Sequence, residues 1–218
     1  MKLPRPVIPP VLTPVPDIET LVRRTMLSCE GEGDLRNVSI ERLTLTDGSL
    51  CGMVLRGARV SGCRLPACDL SSADWTDVVF TDCDLSGCNL SRASLRRCSF
   101  DGCKGVGLQF TDGAVLEATF TGCNFDYCNL ASTTLRKAIL TRCQMHNARL
   151  YECKLSMLTL DGTDLTRATV FHTPLDGLDL THAVLDGLTA NPESLFGALV
   201  TRDQAAGLAP LFGLRVSP

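Results

Sequence analysis

Residues 68–92 read CDLSS-ADWTD-VVFTD-CDLSG-CNLSR, five consecutive units built on one five-residue pattern. Each unit carries a large apolar residue in its third position, which we call the centre. The pattern continues from Leu35 to Leu185, where 30 of the 31 positions divisible by five are apolar and Gly105 is the exception. Such regularity identifies an internal repeat that spans most of the 218 residues.

A period of five fits neither standard element. Five residues advance an α-helix by about 500°, so the centres would spiral around it, and an odd period would place them on alternate faces of a strand. A chain that bends after every five residues keeps each centre inside, together with the small residue two positions earlier. Gly and polar residues recur two positions after the centre, where they suit a bend with positive φ. The repeat therefore predicts a solenoid.

The overall composition excludes several classes of protein. A hydrophobic content of 44% is enough for a core and argues against disorder. The 21 basic and 24 acidic residues give a net charge of −3, so no global basic field attracts nucleic acid directly. No apolar run reaches the length of a membrane span, and prolines interrupt the N-terminus where a signal peptide would need a continuous apolar stretch. We expect a cytoplasmic protein with no membrane association.

The twelve cysteines fit packing better than chemistry. Ten of them lie two residues before a centre, and no C-x-x-C pair occurs. Close zinc ligands usually have two to four residues between them. We therefore expect small buried side chains, no metal and no cofactor.

Seven units resemble the A-(D/N)-L-x-x repeat of the pentapeptide-repeat family: CDLSS (68–72), ADWTD (73–77), CDLSG (83–87), CNLSR (88–92), CNFDY (123–127), CNLAS (128–132) and TDLTR (163–167). The resemblance implies an all-β solenoid, a right-handed quadrilateral parallel β-helix of about eight coils with four units per coil and short capping helices at both ends. Residues 20 apart should then stack, and five cysteines should form one interior column: Cys63, Cys83, Cys103, Cys123 and Cys143.

Four units per coil define four faces of the rod. Face 1 contains the centres 35, 55, 75 and so on, and face 2 those at 40, 60 and 80. Face 3 contains the centres 45, 65 and 85, and face 4 those at 50, 70 and 90. Face 1 carries more basic than acidic residues, whereas the other three carry more acidic ones.

The N-terminal end is divided into two expected segments. Residues 1–16 hold six prolines and form either an extended arm along the rod or a mobile tail. Residues 17–32 contain a capping helix and turn, with Asp17 as N-cap. The first coil would be plugged by four apolar side chains: Ile18, Leu21, Val22 and Met26.

The repeat region is expected over residues 33–200 and a C-terminal capping and dimerisation module over residues 201–218. Thr201 and Gln204 form a predicted capping box, and Pro210 should end or kink the helix that follows. The module resembles one that often makes dimers in this family, whereas simple capping of a monomer is the alternative. The resemblance gives four candidate dimer contacts: Leu208, Leu211, Phe212 and Leu214.

Three positions depart from the local pattern. Gly105 takes the place of an apolar centre, and we expect a bulge or distorted corner there. Pro66 and Pro174 lie beside centres, where a corner can tolerate a missing N–H.

No catalytic motif is present, and His146, His172 and His182 fall at outward positions on different faces or levels. We expect a non-catalytic protein-interaction scaffold with an unidentified partner. The alternative follows from the resemblance, because the best-known members mimic DNA and inhibit DNA gyrase or protect it from quinolone-type poisons. The residues that would face gyrase are nine acidic side chains on faces 2 and 3: Asp47, Asp82, Asp84, Asp101, Asp126, Asp161, Asp164, Asp179 and Asp186.

Overall fold

A computed structural model describes residues 2–29 and 34–217, and its chain winds into a four-sided solenoid of about eight coils. The helices are α1 (Ile18–Cys29) and α2 (Arg202–Leu208), with 3-10 helices at Pro192–Leu195 and Ala209–Phe212. The strands are β1 (Thr13–Val15), β2 (Leu35–Arg36), β3 (Val38–Glu41), β4 (Val54–Ser61), β5 (Asp74–Thr81), β6 (Ser94–Arg96), β7 (Ser99–Asp101), β8 (Ala114–Thr121), β9 (Thr134–Thr141), β10 (Arg149–Tyr151), β11 (Lys154–Asp161), β12 (Thr169–Phe171) and β13 (Thr189–Ala190).

All strand pairs among the described residues are parallel, and neighbouring coils are in a register of 20. Leu55 pairs with Trp75 and Val60 with Phe80, and isolated bridges continue the same register on faces 3 and 4. Ten strands form one sheet along faces 1 and 2, while β10, β12 and β13 form a second. The predicted right-handed quadrilateral β-helix is confirmed.

The corners lie two residues after each centre, as the spacing predicts. Every such residue from Asn37 to Gly177 has a positive φ. Many are not glycine, although the left-handed region costs an ordinary residue roughly 1–2 kcal/mol. The bend is therefore imposed by the stacking of coils, and glycine only lowers its conformational free-energy cost.

The interior contains the centres and the small residues two positions before them. The centres from 35 to 185 are buried except Leu45, Leu130 and Leu155, which are half-buried. Aromatic rings stack inside the rod, with 4.7 Å between the ring centroids of Phe80 and Phe100 and 5.0 Å between those of Phe100 and Phe120. The predicted core is thus one continuous apolar column that runs along the rod.

Gly105 does not cause a bulge, so that prediction is wrong. Its N–H donates to the Asn124 carbonyl at 2.7 Å, and the bridge from Lys104 to Asn124 keeps the register of 20. The glycine is required by packing, because a Cβ at this position would lie 2.9 Å from Cδ1 of Phe125. The ring of the next coil occupies the space that a centre side chain would fill.

The N-terminal arm packs along the rod, which decides between the two expected states. Strand β1 pairs with β3, and the Val7 N–H donates to Asp77 Oδ1 at 3.0 Å, two coils farther on. Between these contacts Pro9 lies over Gly57. The pairing of β1 covers part of the first sheet edge, which would otherwise be open.

Helix α1 covers the first coil largely as expected. Asp17 caps it by accepting from the Thr20 N–H at 2.7 Å, and Leu21 is buried. The prediction for Met26 is wrong, because its side chain is 60% exposed and Thr25 is buried in its stead. The predicted boundary between cap and repeats at residues 32 and 33 lies outside the described residues.

Helix α2 closes the last coil. The capping box of Thr201 and Gln204 is present. The Gln204 side chain also donates to the carbonyls of Leu180 and Ala183, both at 2.8 Å, and so satisfies acceptors at the open end. Pro210 lies in the first turn of the following 3-10 helix, where its missing N–H costs nothing.

Candidate interaction surfaces

The five predicted thiols form one interior column. Each cysteine of this column is at most 2% exposed, and its thiol donates to backbone carbonyls, as the Cys83 thiol does to the Thr81 carbonyl at 3.3 Å. The neighbouring Cys103 thiol, together with burial, raises the pKa of Cys83 to about 11. Desolvation, aided by the charge of Asp77, raises the pKa of Cys98 to about 12. Because thiols with such pKa values remain protonated near neutral pH, Cys83 and Cys98 act as packing groups and not as nucleophiles.

Three of the acidic candidates serve the turns of their own coils. The carboxylates of Asp84, Asp164 and Asp179 accept from the backbone N–H two residues further along the chain, at 2.9 to 3.0 Å. Bonds from Thr181 hold the pKa of Asp179 below its usual value. These residues have a local structural role, whatever else they contact.

His146 links Asp164 to a further candidate, Asp126, across three coils. Its Nδ1 lies 2.8 Å from Asp126 Oδ1 and its Nε2 lies 3.1 Å from Asp164 Oδ2. A neutral imidazole has one N–H and can donate to only one carboxylate, so both bonds require the protonated ring. The hydrogen bond with Asp164, aided by the charge of Asp126, raises the pKa of His146. The sequence placed His146 outward but did not reveal these two ion pairs, which depend on the stacking of residues about 20 apart.

We expect His146→Gln to make stability less dependent on pH. The raised pKa means that the histidine stabilises the fold fully below its ordinary value of 6.5, and that this contribution is lost as the pH rises through the folded-state pKa. Near pH 5 the variant should be less stable by about 0.5–1 kcal/mol, because the pair is partly exposed. Urea unfolding at several pH values measures the difference, with exposed His172→Gln as the control. An equal difference in stability between the parent and His146→Gln at acidic and alkaline pH would contradict ion pairing by His146.

The remaining acidic candidates are exposed: Asp47, Asp82, Asp101, Asp161 and Asp186. On face 1 several basic residues are paired within the rod. Arg56 contacts Asp74, Lys137 contacts Glu117 at 3.0 Å, and Arg97 binds Asp77 through two bonds of 2.6 and 2.8 Å. The basic residues that stay exposed on that face are Arg36, Arg96, Arg136 and Lys154. The rod therefore presents cations on face 1 and carboxylates on faces 2 and 3.

The four dimer candidates are not equivalent. Leu208 is buried in the core of its own chain, which removes it as a contact, and Leu211 is half-buried against that core. Phe212 and Leu214 are exposed, and the Phe212 ring stacks on Phe196 with 6.4 Å between centroids. Sequence spacing could not separate these cases, because the 3-10 turn at Pro210 decides which side chains point outward.

Pro174 does not lie at a corner, contrary to the prediction, and its missing N–H removes a hydrogen bond between coils. It precedes the centre Leu175, and in earlier coils the N–H at this position bonds to the preceding coil, as Asp74 does to the Met53 carbonyl at 3.1 Å. Proline cannot donate this bond. Pro66 follows its centre instead, and pairing around it is intact. The position within the unit was the signal that sequence reasoning missed.

Neither a metal-binding cluster nor a membrane-spanning helix occurs in the part of the chain that the structure describes. No group of three or more His, Cys, Asp or Glu side chains there is arranged to hold a metal ion. No helix in the same part is long and apolar enough to cross a membrane.

Comparisons with known proteins agree with the geometry. A family model described as a pentapeptide repeat region matches residues 73–150 and, in an overlapping second match, residues 93–170. No curated protein matches the sequence significantly.

Several solved structures are similar at low identity. Trypsin-treated QnrB1, a plasmid-mediated fluoroquinolone resistance protein, is 18% identical over 82% of this chain and 100% of its own, with a TM-score of 0.43. HetL from the cyanobacterium Nostoc sp. strain PCC 7120 is 19% identical over 84% of this chain and 92% of its own, with a TM-score of 0.49. Rfr23 from Cyanothece 51142 is 16% identical over 82% and 99%, with a TM-score of 0.33.

Such similarity carries no argument about what the chain binds. The repeat units, their register of 20 and the family-model match show that residues 73–170 belong to the pentapeptide-repeat family, and the same repeat and register continue in the coils on both sides.

Proposed function

We propose that the chain is a non-catalytic scaffold that binds another protein through the outward faces of its rod, in the cytoplasm. The proposal is supported by where the side chains lie. The thiols and apolar centres are buried in the interior, and the outward faces carry ordered rows of polar side chains. A standard protein interface needs about 800 Å² on each partner, and the 10885 Å² of accessible surface offers several such areas.

A capture experiment with face variants tests this proposal. The parent and two charge-reversed forms would be cross-linked in cell lysate, Arg96→Glu/Arg136→Glu on face 1 and Asp82→Lys/Asp101→Lys on face 2. All four residues are exposed, so the core is unchanged. We expect a partner of the parent to be lost from one variant and kept by the other. Equal capture by the parent and both variants would contradict binding through these faces.

A role as a DNA-mimic modulator of DNA gyrase is the second candidate. It is favoured by the exposed carboxylates of Asp82, Asp101 and Asp161 on face 2, since a mimic must present negative charge to a basic DNA-binding surface. Gyrase supercoiling with and without a quinolone tests it directly, with Asp101→Asn/Asp161→Asn as the control. Unchanged supercoiling and unchanged drug sensitivity at micromolar protein would remove this candidate.

We propose in addition that the C-terminal ends of two chains form a homodimer. Five apolar side chains are exposed there: Phe196, Leu199, Phe212, Leu214 and Val216. Phe212→Asp would place a charge in the contact, and the parent should sediment as a dimer and the variant as a monomer. Val11→Asp, which changes an exposed residue at the other end, is the matched control. Identical sedimentation of the parent and Phe212→Asp would end the proposal.

A further inference from the structure

The wall of the rod opens between β11 and the following coil. Strand β11 pairs with β9 along its length, from Lys154 opposite Thr134 to Asp161 opposite Thr141. On its other side β11 forms no bridge with residues 174–181, and within the described chain it is the last strand of the large sheet. The solenoid therefore contains an unpaired strand edge well before its C-terminal cap.

Intact coils show which hydrogen bonds are lost. The corner N–H groups of Asn37 and Arg97 donate to the next coil at 2.9 Å, whereas the equivalent bond from Met157 is absent from the described structure. The bond from position 174 to the preceding coil cannot form, because proline has no N–H. The Cys153 N–H, next to this position, donates to the Thr173 hydroxyl at 2.9 Å. Pro174 thus accounts for the start of the opening.

The opening is a slot with fixed ends. The Cys153–Thr173 bond closes one end, and the Gly162 N–H closes the other by donating to the His182 carbonyl at 2.9 Å. Beyond these points the same two coils pair normally, as in the bond from Leu165 N–H to the Val184 carbonyl at 2.9 Å. Two sides of the rod hold the coils together while faces 1 and 2 leave a gap.

The chemistry of the slot is partly apolar and partly acidic. An open depression of about 420 Å³ lies at the face 2 end of the slot, lined by Leu158, Thr159, Leu160, Asp161, Asp179 and His182. Leu158 also lines the apolar interior, and Leu155 and Leu158 are only half-buried. Met157 at the corner is 59% exposed. Asp161 and Asp179 place negative charge at one end.

An unpaired strand edge is recognised most directly by another extended backbone. We infer that the slot between β11 and residues 174–181 binds an extended peptide segment of a partner protein. Its apolar side chains would alternate toward Leu155, Leu158 and Leu160, and a basic residue would lie beside Asp161 and Asp179. The inference rests on the proposed scaffold function for the partner being a protein, and it specifies where and in what conformation that partner binds.

The octapeptide TLRKAILK, which copies residues 134–141 with lysine in place of the last threonine, is a suitable probe because that lysine would lie opposite Asp161. The copied segment already pairs with β11 on its closed side, where Leu135, Ala138 and Leu140 lie opposite Leu155, Leu158 and Leu160. Labelled peptide would be titrated with the full chain by fluorescence anisotropy, and hydrogen exchange would follow the amides of Leu155, Met157 and Leu160. We expect these amides to exchange rapidly in the free chain and at least tenfold more slowly with peptide. The same peptide with proline at its fourth position should not bind.

Pro174→Thr tests the origin of the slot. The restored N–H should let the two coils pair, which should weaken peptide binding at least tenfold and protect the three amides without peptide. Pro66→Thr is the matched control and should bind as the parent does, because coil pairing around Pro66 is already intact.

Several results would overturn the inference. They are no binding at millimolar peptide, amides already protected in the free parent, and peptide binding that leaves the amides unprotected. Protection by decanoate instead of peptide would show a site for acyl chains and would also overturn it. The exchange measurement on the parent decides even if Pro174→Thr does not fold. Failure of this site while face variants still lose a captured partner would leave the scaffold function standing.

Discussion

Trp75→Ala should lower the free energy of unfolding by about 3–5 kcal/mol. Trp75 is fully buried, and its ring centroid lies 4.7 Å from that of Phe80, which stacks in turn on Phe100. Truncation would leave a cavity inside a narrow rod whose neighbouring coils are fixed in register, so little collapse can fill it. Chemical denaturation followed by circular dichroism measures the loss.

Two controls separate packing from other contributions of the indole. Trp75→Phe should cost less than about 1.5 kcal/mol, because the ring volume is largely kept and the buried Nε1–H, which has no hydrogen-bond partner, is removed. Tyr151→Ala removes an exposed aromatic side chain from face 4 and should cost about 1 kcal/mol or less. Equal losses for Trp75→Ala and Tyr151→Ala would contradict the assignment of Trp75 to the core.

Gly105→Leu should destabilise the protein by about 2–3 kcal/mol, although leucine is the commonest residue at the other centres. The added Cβ would already lie 2.9 Å from the Phe125 ring, and that ring is held edge-on against Phe120 with 5.7 Å between centroids. The clash is between coils, so a residue that fits the repeat does not fit this level of the rod.

Phe125→Ala provides the compensating change. If the two residues share one space, the double variant should be more stable than the sum of the single losses by at least about 1 kcal/mol. Gly107→Asn is a matched control, since that glycine has open space around it and asparagine tolerates its positive φ. Additive losses, or an equal cost for Gly107→Asn, would show that Gly105 is not required by the ring.

The sequence predicts most of this fold because its dominant interactions recur at fixed spacing. The five-residue period identifies the centres, the corners and the inward cysteines without reference to any distant contact. Once four units make a coil, the column from Cys63 to Cys143 follows. The fold class could therefore be predicted almost completely.

The candidate surfaces could be predicted less well because they depend on contacts between coils. The bonds of His146 with Asp126 and Asp164 require the actual geometry of three stacked turns. Pro174 disrupts pairing while Pro66 does not, and the difference is which N–H each position contributes in the fold. Local pattern assigns both prolines alike, so the slot beside β11 becomes visible only in the structure.

The register of 20 restricts how such a rod can change in length. Adding 20 residues inserts one whole turn and leaves every downstream side chain in its former direction. Adding five would rotate everything beyond it by a quarter turn and would carry the cations of one side onto the line of the next. The surface pattern can thus be extended by duplication of complete turns, whereas a shorter insertion would change the charge pattern of every face beyond it.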